Sequence, residues 1–255
     1  MDSTPSGPRG AAVEARDLGV KGPRGWAFRG VDLTAAPGSL VAVEGPSGSG
    51  RTCLLLALTG RMRVGEGRAE VGGLALPRRM AAVRRTTALA HVPGVAELEP
   101  ALTVAEHLRE RAMLRRRFTG SVREMLRPRP ERVTTSAALA AAGLDPAALP
   151  RGERTAVREL GRPEALRLSV ALALIGEPRL IAVDDADLKL SDAERAEVWA
   201  LLRSVAASGT TVLAVCGGPP PGDAITVRTA RTTPHTTGPT EEKGAADALA
   251  EAGRA

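Results

Sequence analysis

The sequence predicts an α/β fold with an antiparallel β lobe and an inserted helical lobe, and three observations point there. First, the apolar run 40–43 (Leu-Val-Ala-Val) leads into Gly45-Pro46-Ser47-Gly48-Ser49-Gly50-Arg51-Thr52. That octet has the spacing G-x-x-x-x-G-K-[ST], with arginine in the lysine place, and it opens into the apolar run 53–58. A strand, a glycine-rich turn and a helix in that order read as a phosphate-binding loop. Second, residues 180–183 (Leu-Ile-Ala-Val) are all apolar, as in a strand buried on both faces, and end in Asp184 and Asp185. Third, about 130 residues lie between Thr52 and Asp184, which leaves room for an inserted helical lobe.

In chain order, residues 1–10 are rich in Pro, Gly and Ser and are expected to be disordered. Short strands are expected at 12–16, 26–33 and 39–43, with a turn at 21–25 and Pro37-Gly38 before the third. The helix after the loop should stop near Thr59-Gly60, and residues 65–73 read as a strand ending in a tight turn. A further apolar stretch at 87–92 ends at Pro93-Gly94. Thr103 and Glu106 have capping-box spacing and should start a helix that runs to about Arg117. Residues 119–133 are basic and contain proline, as in a loop or weak helix; a helix is expected near 136–142, stopped by Gly143.

Pro163 can occupy the first turn of a helix in which Leu166, Val170 and Ala173 recur before Gly176. Ser191 and Glu194 form a second capping box, and Val198, Leu201, Leu202 and Val205 make one apolar face, stopped at Ser208-Gly209. Strands follow at 210–215 and 224–227. The expected organisation is thus a disordered 1–10, a nucleotide-binding unit over 11–230 with a helical subdomain at about 95–172, and a flexible tail at 231–255 that holds at most a short helix near 245–252.

Composition narrows the function. The chain has 255 residues, 43% hydrophobic, only 2% aromatic and no Tyr, so Leu, Val and Ala must build the core. Its net charge of +6 would suit an anionic partner. Much of the arginine excess lies at 109–132, however, without the aromatic platform that nucleic-acid binding uses. A solvated or membrane-facing patch suits it better. The two cysteines, Cys53 and Cys216, make no metal spacing and fit a reducing compartment. No signal peptide and no run as long as a membrane span is evident.

The chemistry predicted from these residues is nucleotide binding. Gly45, Gly48 and Gly50 let backbone N–H groups turn inward around a phosphate chain, and the helix that follows adds the positive end of its dipole. Thr52 is placed to put a hydroxyl on Mg²⁺, and Asp184 to supply the carboxylate beside it. Arg51 has the right charge, but its planar fork differs from an ammonium. His91 and His107, without a paired nucleophile, read as structural residues. Asp187 reads as a surface residue, Asp192 as a helix cap and Cys53 as a packing residue.

Over roughly residues 11–218 the text resembles the nucleotide-binding domain of ABC transporters. The resemblance rests on Val31-Asp32-Leu33 with Pro37-Gly38, the run 102–108, the run 173–181, and residues 193–199 followed by 209–213. It implies a P-loop NTPase core of the ABC ATPase kind, ATP and Mg²⁺ as ligands, and a homodimer or a heterodimer with another such subunit. It also implies an integral-membrane permease as partner and a cytoplasmic position at the inner face of the cell membrane.

The resemblance makes Asp185, one methylene shorter than the family's glutamate, the candidate base, and Trp26 the candidate to stack on adenine. It also marks departures: Gly94 at the Q-loop glutamine, Leu160-Gly161-Arg162-Pro163-Glu164 at the signature, Ser191 at the D-loop aspartate and Gly217 at the switch histidine. Hydrolysis is therefore expected to be weak or absent. The alternative implied is a nucleotide-holding partner that is silent or regulatory in a heteromeric membrane complex.

Overall fold

The computed structural model describes residues 9–22, 25–119 and 135–230. The expected disordered start over 1–8, the tail 231–255 with its short helix, most of the basic segment and Pro23-Arg24 of the first turn lie outside those residues.

The first strands build an antiparallel sheet. β1 (Val13–Gly22) pairs with β2 (Gly25–Ala35) and with β4 (Glu66–Val71), and β4 pairs with β5 (Leu74–Leu76). The order is β2-β1-β4-β5. Exposed residues alternate with buried ones over 13–16 of β1 and 30–35 of β2, as a half-buried sheet requires, and the alternation breaks at 16–20, where the pairing of β1 shifts register.

A second, parallel sheet contains β6 (Thr87–His91), β7 (Leu180–Val183), β8 (Thr211–Val215), β3 (Leu40–Glu44) and β9 (Ile225–Arg228), in that order. Its middle strands are apolar on both faces, so the two-residue alternation shares each strand between two cores. Val41, Val43, Leu180, Ala182, Leu213 and Val215 join one core with Phe28 and Leu54 of the antiparallel side. Leu40, Ala42, Ile181, Val183, Val212 and Ala214 join the other, with the buried Trp199.

Helices complete both layers. α1 (Arg51–Leu58) follows β3, and a short α2 (Met80–Thr86) follows β5. Between β6 and β7 the chain inserts α3 (Val104–Thr119), α4 (Thr135–Ala141), three 3₁₀ turns and α5 (Arg162–Leu174). α6 (Asp192–Ala207) then links β7 to β8. The sequence reading missed β5, α2 and the 3₁₀ turns. β5 has three residues, and α2 is preceded by Arg79, which makes no side-chain cap, so neither leaves a pattern long enough to read.

Both capping boxes form. Thr103 N–H donates to Glu106 Oε2 at 2.7 Å, and Glu106 N–H to Thr103 Oγ at 3.3 Å. At α6, Ser191 N–H donates to Glu194 Oε2 at 2.8 Å and Glu194 N–H to Ser191 Oγ at 3.4 Å. Among the described residues no helix is long and apolar enough to cross a membrane.

The Ser191 cap carries the first testable consequence. Ser191→Ala is expected to cost about 1 kcal/mol of stability, read as a lower urea midpoint with an unchanged slope. An unchanged midpoint would contradict the role of the cap.

Candidate functional site

The site is built where β3, β7 and β8 end on the same edge of the parallel sheet. β3 runs straight into residues 45–52. Gly45, Gly48 and Gly50 all have positive φ, and for two of them the surroundings admit nothing larger. A Cβ on Gly50 would lie 2.3 Å from the Ala27 carbonyl oxygen, and one on Gly45 would lie 2.5 Å from that of Thr229. The loop is therefore pressed between β2 and the residue after β9. At Gly48 a Cβ would meet nothing within 4 Å, so that side of the loop is open.

Ser49 is fully buried, and its hydroxyl shares a 2.6 Å hydrogen bond with Thr229 Oγ. Its side chain thus braces the loop from behind, and its backbone N–H closes the turn by donating to the Pro46 carbonyl at 3.1 Å. Thr229 carries no sequence signal for this role, because it lies 180 residues from its partner.

Asp184 continues the alternation of Leu180 and Ala182 toward the α1 side of the sheet. Its Oδ2 accepts from Thr52 Oγ at 2.5 Å, and its Oδ1 accepts from Asp185 N–H at 2.9 Å. Asp184 is only 3% exposed, and neither of these two partners carries a charge. Burial, and then the neighbouring Asp185 charge, holds its carboxyl above the ordinary range, against the pull of the Thr52 bond and of Arg51. A buried anion with neutral partners is costly, and a cation relieves it.

This donor set fits Mg²⁺. Among the described residues no group of three His, Cys, Asp or Glu side chains could hold a metal. One hydroxyl and one carboxylate beside an open loop are what Mg²⁺ shared with substrate phosphates uses. Arg51 is half-buried at the start of α1, and its Nη1 donates to the Cys216 carbonyl at 2.8 Å.

Asp185 has φ 46° and lines a cavity of about 540 Å³ together with His91, Glu97, Arg162 and Ser169. Burial, and then the Arg162 charge, keeps His91 below the usual imidazole value. Trp26, half-buried on β2, has the Arg29 guanidinium 5.0 Å and the Lys21 ammonium 5.8 Å from its ring centre. Cys53 is half-buried and Cys216 buried; burial pushes both thiols up, that of Cys216 to about 12.

Asp187 corrects the sequence reading. It is 8% exposed, not a surface residue. Its Oδ2 accepts from Arg195 Nε at 2.9 Å and its Oδ1 from Gly217 N–H at 2.8 Å. Asp192 is the first residue of α6, and the capping side chain is that of Ser191.

The raised Asp184 carboxyl fixes a sign for stability against pH. The folded chain holds this proton more tightly than the unfolded one. Its contribution is present below the unfolded value of about 3.9 and is lost as pH rises through the folded value. Asp184→Asn is therefore expected to raise Tm at pH 7 in EDTA, with the gain shrinking near pH 4. A lower Tm at pH 7 would contradict this account of the carboxylate.

Comparison with known proteins agrees with this architecture. The sequence profile of the ABC transporter family matches residues 28–187. The daunorubicin resistance ATP-binding protein DrrA3 of Streptomyces coeruleorubidus is 33% identical over 187 residues, 73% of this chain and 54% of that protein. The Nod factor export ATP-binding protein I of Rhizobium meliloti is 30% identical over 73% of this chain and 51% of its own length. The chain thus spans about half the length of these two relatives. Among solved structures, the ADP conformation of an ATP-binding cassette of an ABC transporter superposes with a TM-score of 0.63. It is 17% identical and covers 82% of each chain, a likeness of fold alone. With more than half of its residues inside the family profile, the chain belongs to the ABC transporter family.

Proposed function

We propose that the chain is an ATP-binding subunit that binds Mg-ATP and couples binding, with slow hydrolysis, to a membrane permease. The observation that carries this reading is the 2.5 Å contact between Thr52 Oγ and Asp184 Oδ2 beside the open side of residues 45–52. Both relatives described above are ATP-binding proteins by name, which supports the choice of nucleotide. The nucleotide-binding unit is assigned to 11–230, with the helical subdomain at about 95–172. It would sit at the inner face of the cell membrane through its permease, paired with a second copy or another cassette subunit.

In this reading the backbone N–H groups of Gly45, Ser47, Gly48, Gly50 and Arg51 face the phosphates, with the α1 dipole behind them, while Pro46 has no N–H and that of Ser49 donates to the Pro46 carbonyl. Arg51 supplies the positive charge. Thr52 and Asp184 would hold Mg²⁺, which when bound neutralises charge on the phosphates. Trp26 is assigned to the base, which requires Arg29 or Lys21 to yield a ring face.

Slow turnover follows from the positions around Asp185. Its carboxylate is short, and the residue borders the cavity with His91 and Arg162. Gly217 offers no side chain for positioning water, and its N–H is already bonded to Asp187. Phosphoryl transfer depends on positioning, so such a site is slow.

The test is phosphate release from Mg-ATP by the purified chain. Release is expected to be slow and to be abolished by Asp184→Asn; release that survives this change would contradict the metal assignment. Asp185→Glu restores the missing methylene and is expected to speed release, by up to about 10²-fold, with affinity unchanged. Unchanged or slower release would remove Asp185 as the base, and binding with no release in either form would favour the nucleotide-holding alternative.

A further inference from the structure

The sheet order places β8 between β3 and β7, so the end of β8 lies between the phosphate loop and Asp184. There one peptide group is held from both sides. The Cys216 carbonyl accepts from Arg51 Nη1 at 2.8 Å, and the Gly217 N–H donates to Asp187 Oδ1 at 2.8 Å. Carbonyl and N–H belong to one planar unit, so neither can turn without the other.

Asp187 is anchored in turn. Its second oxygen accepts from Arg195 Nε at 2.9 Å and lies 3.5 Å from the indole nitrogen of the fully buried Trp199. Arg195 also donates to the Pro219 carbonyl at 2.5 Å, and Arg203 Nη1 donates to that of Pro221. The loop after β8 is therefore fastened to α6, and its Cys216–Gly217 peptide is the link between α6 and Arg51. A bond from a buried carboxylate to an N–H is charge-assisted and stronger than a neutral one.

We propose that Asp187 is a positioning residue for Arg51, acting through the Cys216–Gly217 peptide. It fixes where the Cys216 carbonyl points, and that carbonyl fixes where the guanidinium rests. A guanidinium has five N–H donors in a rigid fork, and one is used on Cys216; the fork is then held in place before a phosphate arrives. A lysine ammonium in the same place would be a point charge on a flexible stem, without a fork for the carbonyl to orient. The inference rests on the nucleotide-binding reading of residues 45–52, and its test has one arm that does not need nucleotide.

In the nucleotide-free full chain, hydrogen exchange at the Gly217 amide is measured by NMR. Arg51→Met is expected to speed it by about tenfold or more, although Arg51 does not touch that N–H. Unchanged exchange would overturn the link. In the second arm, Asp187→Ala is expected to weaken Mg-ATP affinity about fivefold, the cost of re-ordering one free side chain. It should weaken nothing further in an Arg51→Met background.

Equal losses in both backgrounds would make Asp187 merely structural and overturn the proposal. Asp187→Asn keeps an oxygen for Gly217 and is expected to recover affinity; it also replaces the alanine variant if that fails to fold. If the unaltered chain binds no Mg-ATP, the nucleotide reading falls and the positioning role with it. The exchange arm then reports separately whether Arg51 and Gly217 are linked.

Discussion

The structure depends on one half-buried contact, a hydroxyl at the head of α1 meeting a carboxylate at the end of β7 across 132 residues. For Thr52 and Asp184 to touch, β3 and β7 must end level in a parallel sheet with α1 packed on one face. The two-residue alternation then sends Asp184 toward α1 and leaves Asp185, beyond the strand, to line the cavity by the inserted helices. Two adjacent aspartates are thereby given different surroundings: one is 3% exposed with neutral hydrogen-bond partners, the other lines an open space with His91 and Arg162. Their chemistry differs for that reason and not from any difference in residue type.

Much of this was legible in the sequence because local rules carry it. The loop spacing, the apolar strands 40–43 and 180–183, and both capping boxes are short-range patterns, and each appears at its expected place. The elements that escaped were those with little local signal, such as the three-residue β5 and the uncapped α2. Asp187 was misread because three residues past Asp184 nothing in the text distinguishes a loop carboxylate from a buried one. Only the meeting of α6 with the end of β8 decides it. Thr229 is the same case on the other side of the loop, a hydroxyl brought to Ser49 by the pairing of β9 with β3.

The departures from the family pattern gain physical content from these neighbours. Arg51 is tied to a backbone carbonyl that a glycine-rich segment presents, and Gly217 gives its N–H to a carboxylate held by an arginine and a tryptophan. Ser191 caps α6, a local duty that the serine side chain performs well. In the proposed reading the groups that would hold phosphates and a metal are present, while those that would position attacking water are short or absent. Binding and turnover make separate demands on the same fold, which is why the proposed function separates them.

In the proposed function Asp184 and Thr52 are half of an oxygen site completed by Mg²⁺ and the phosphates of ATP. Calorimetric titration of the purified chain with ATP, in Mg²⁺ and then in EDTA, tests it most directly. Clear binding heat is expected with Mg²⁺, and affinity at least about tenfold weaker without it, since an uncompensated carboxylate then faces the phosphates. Equal affinity in both buffers would contradict it.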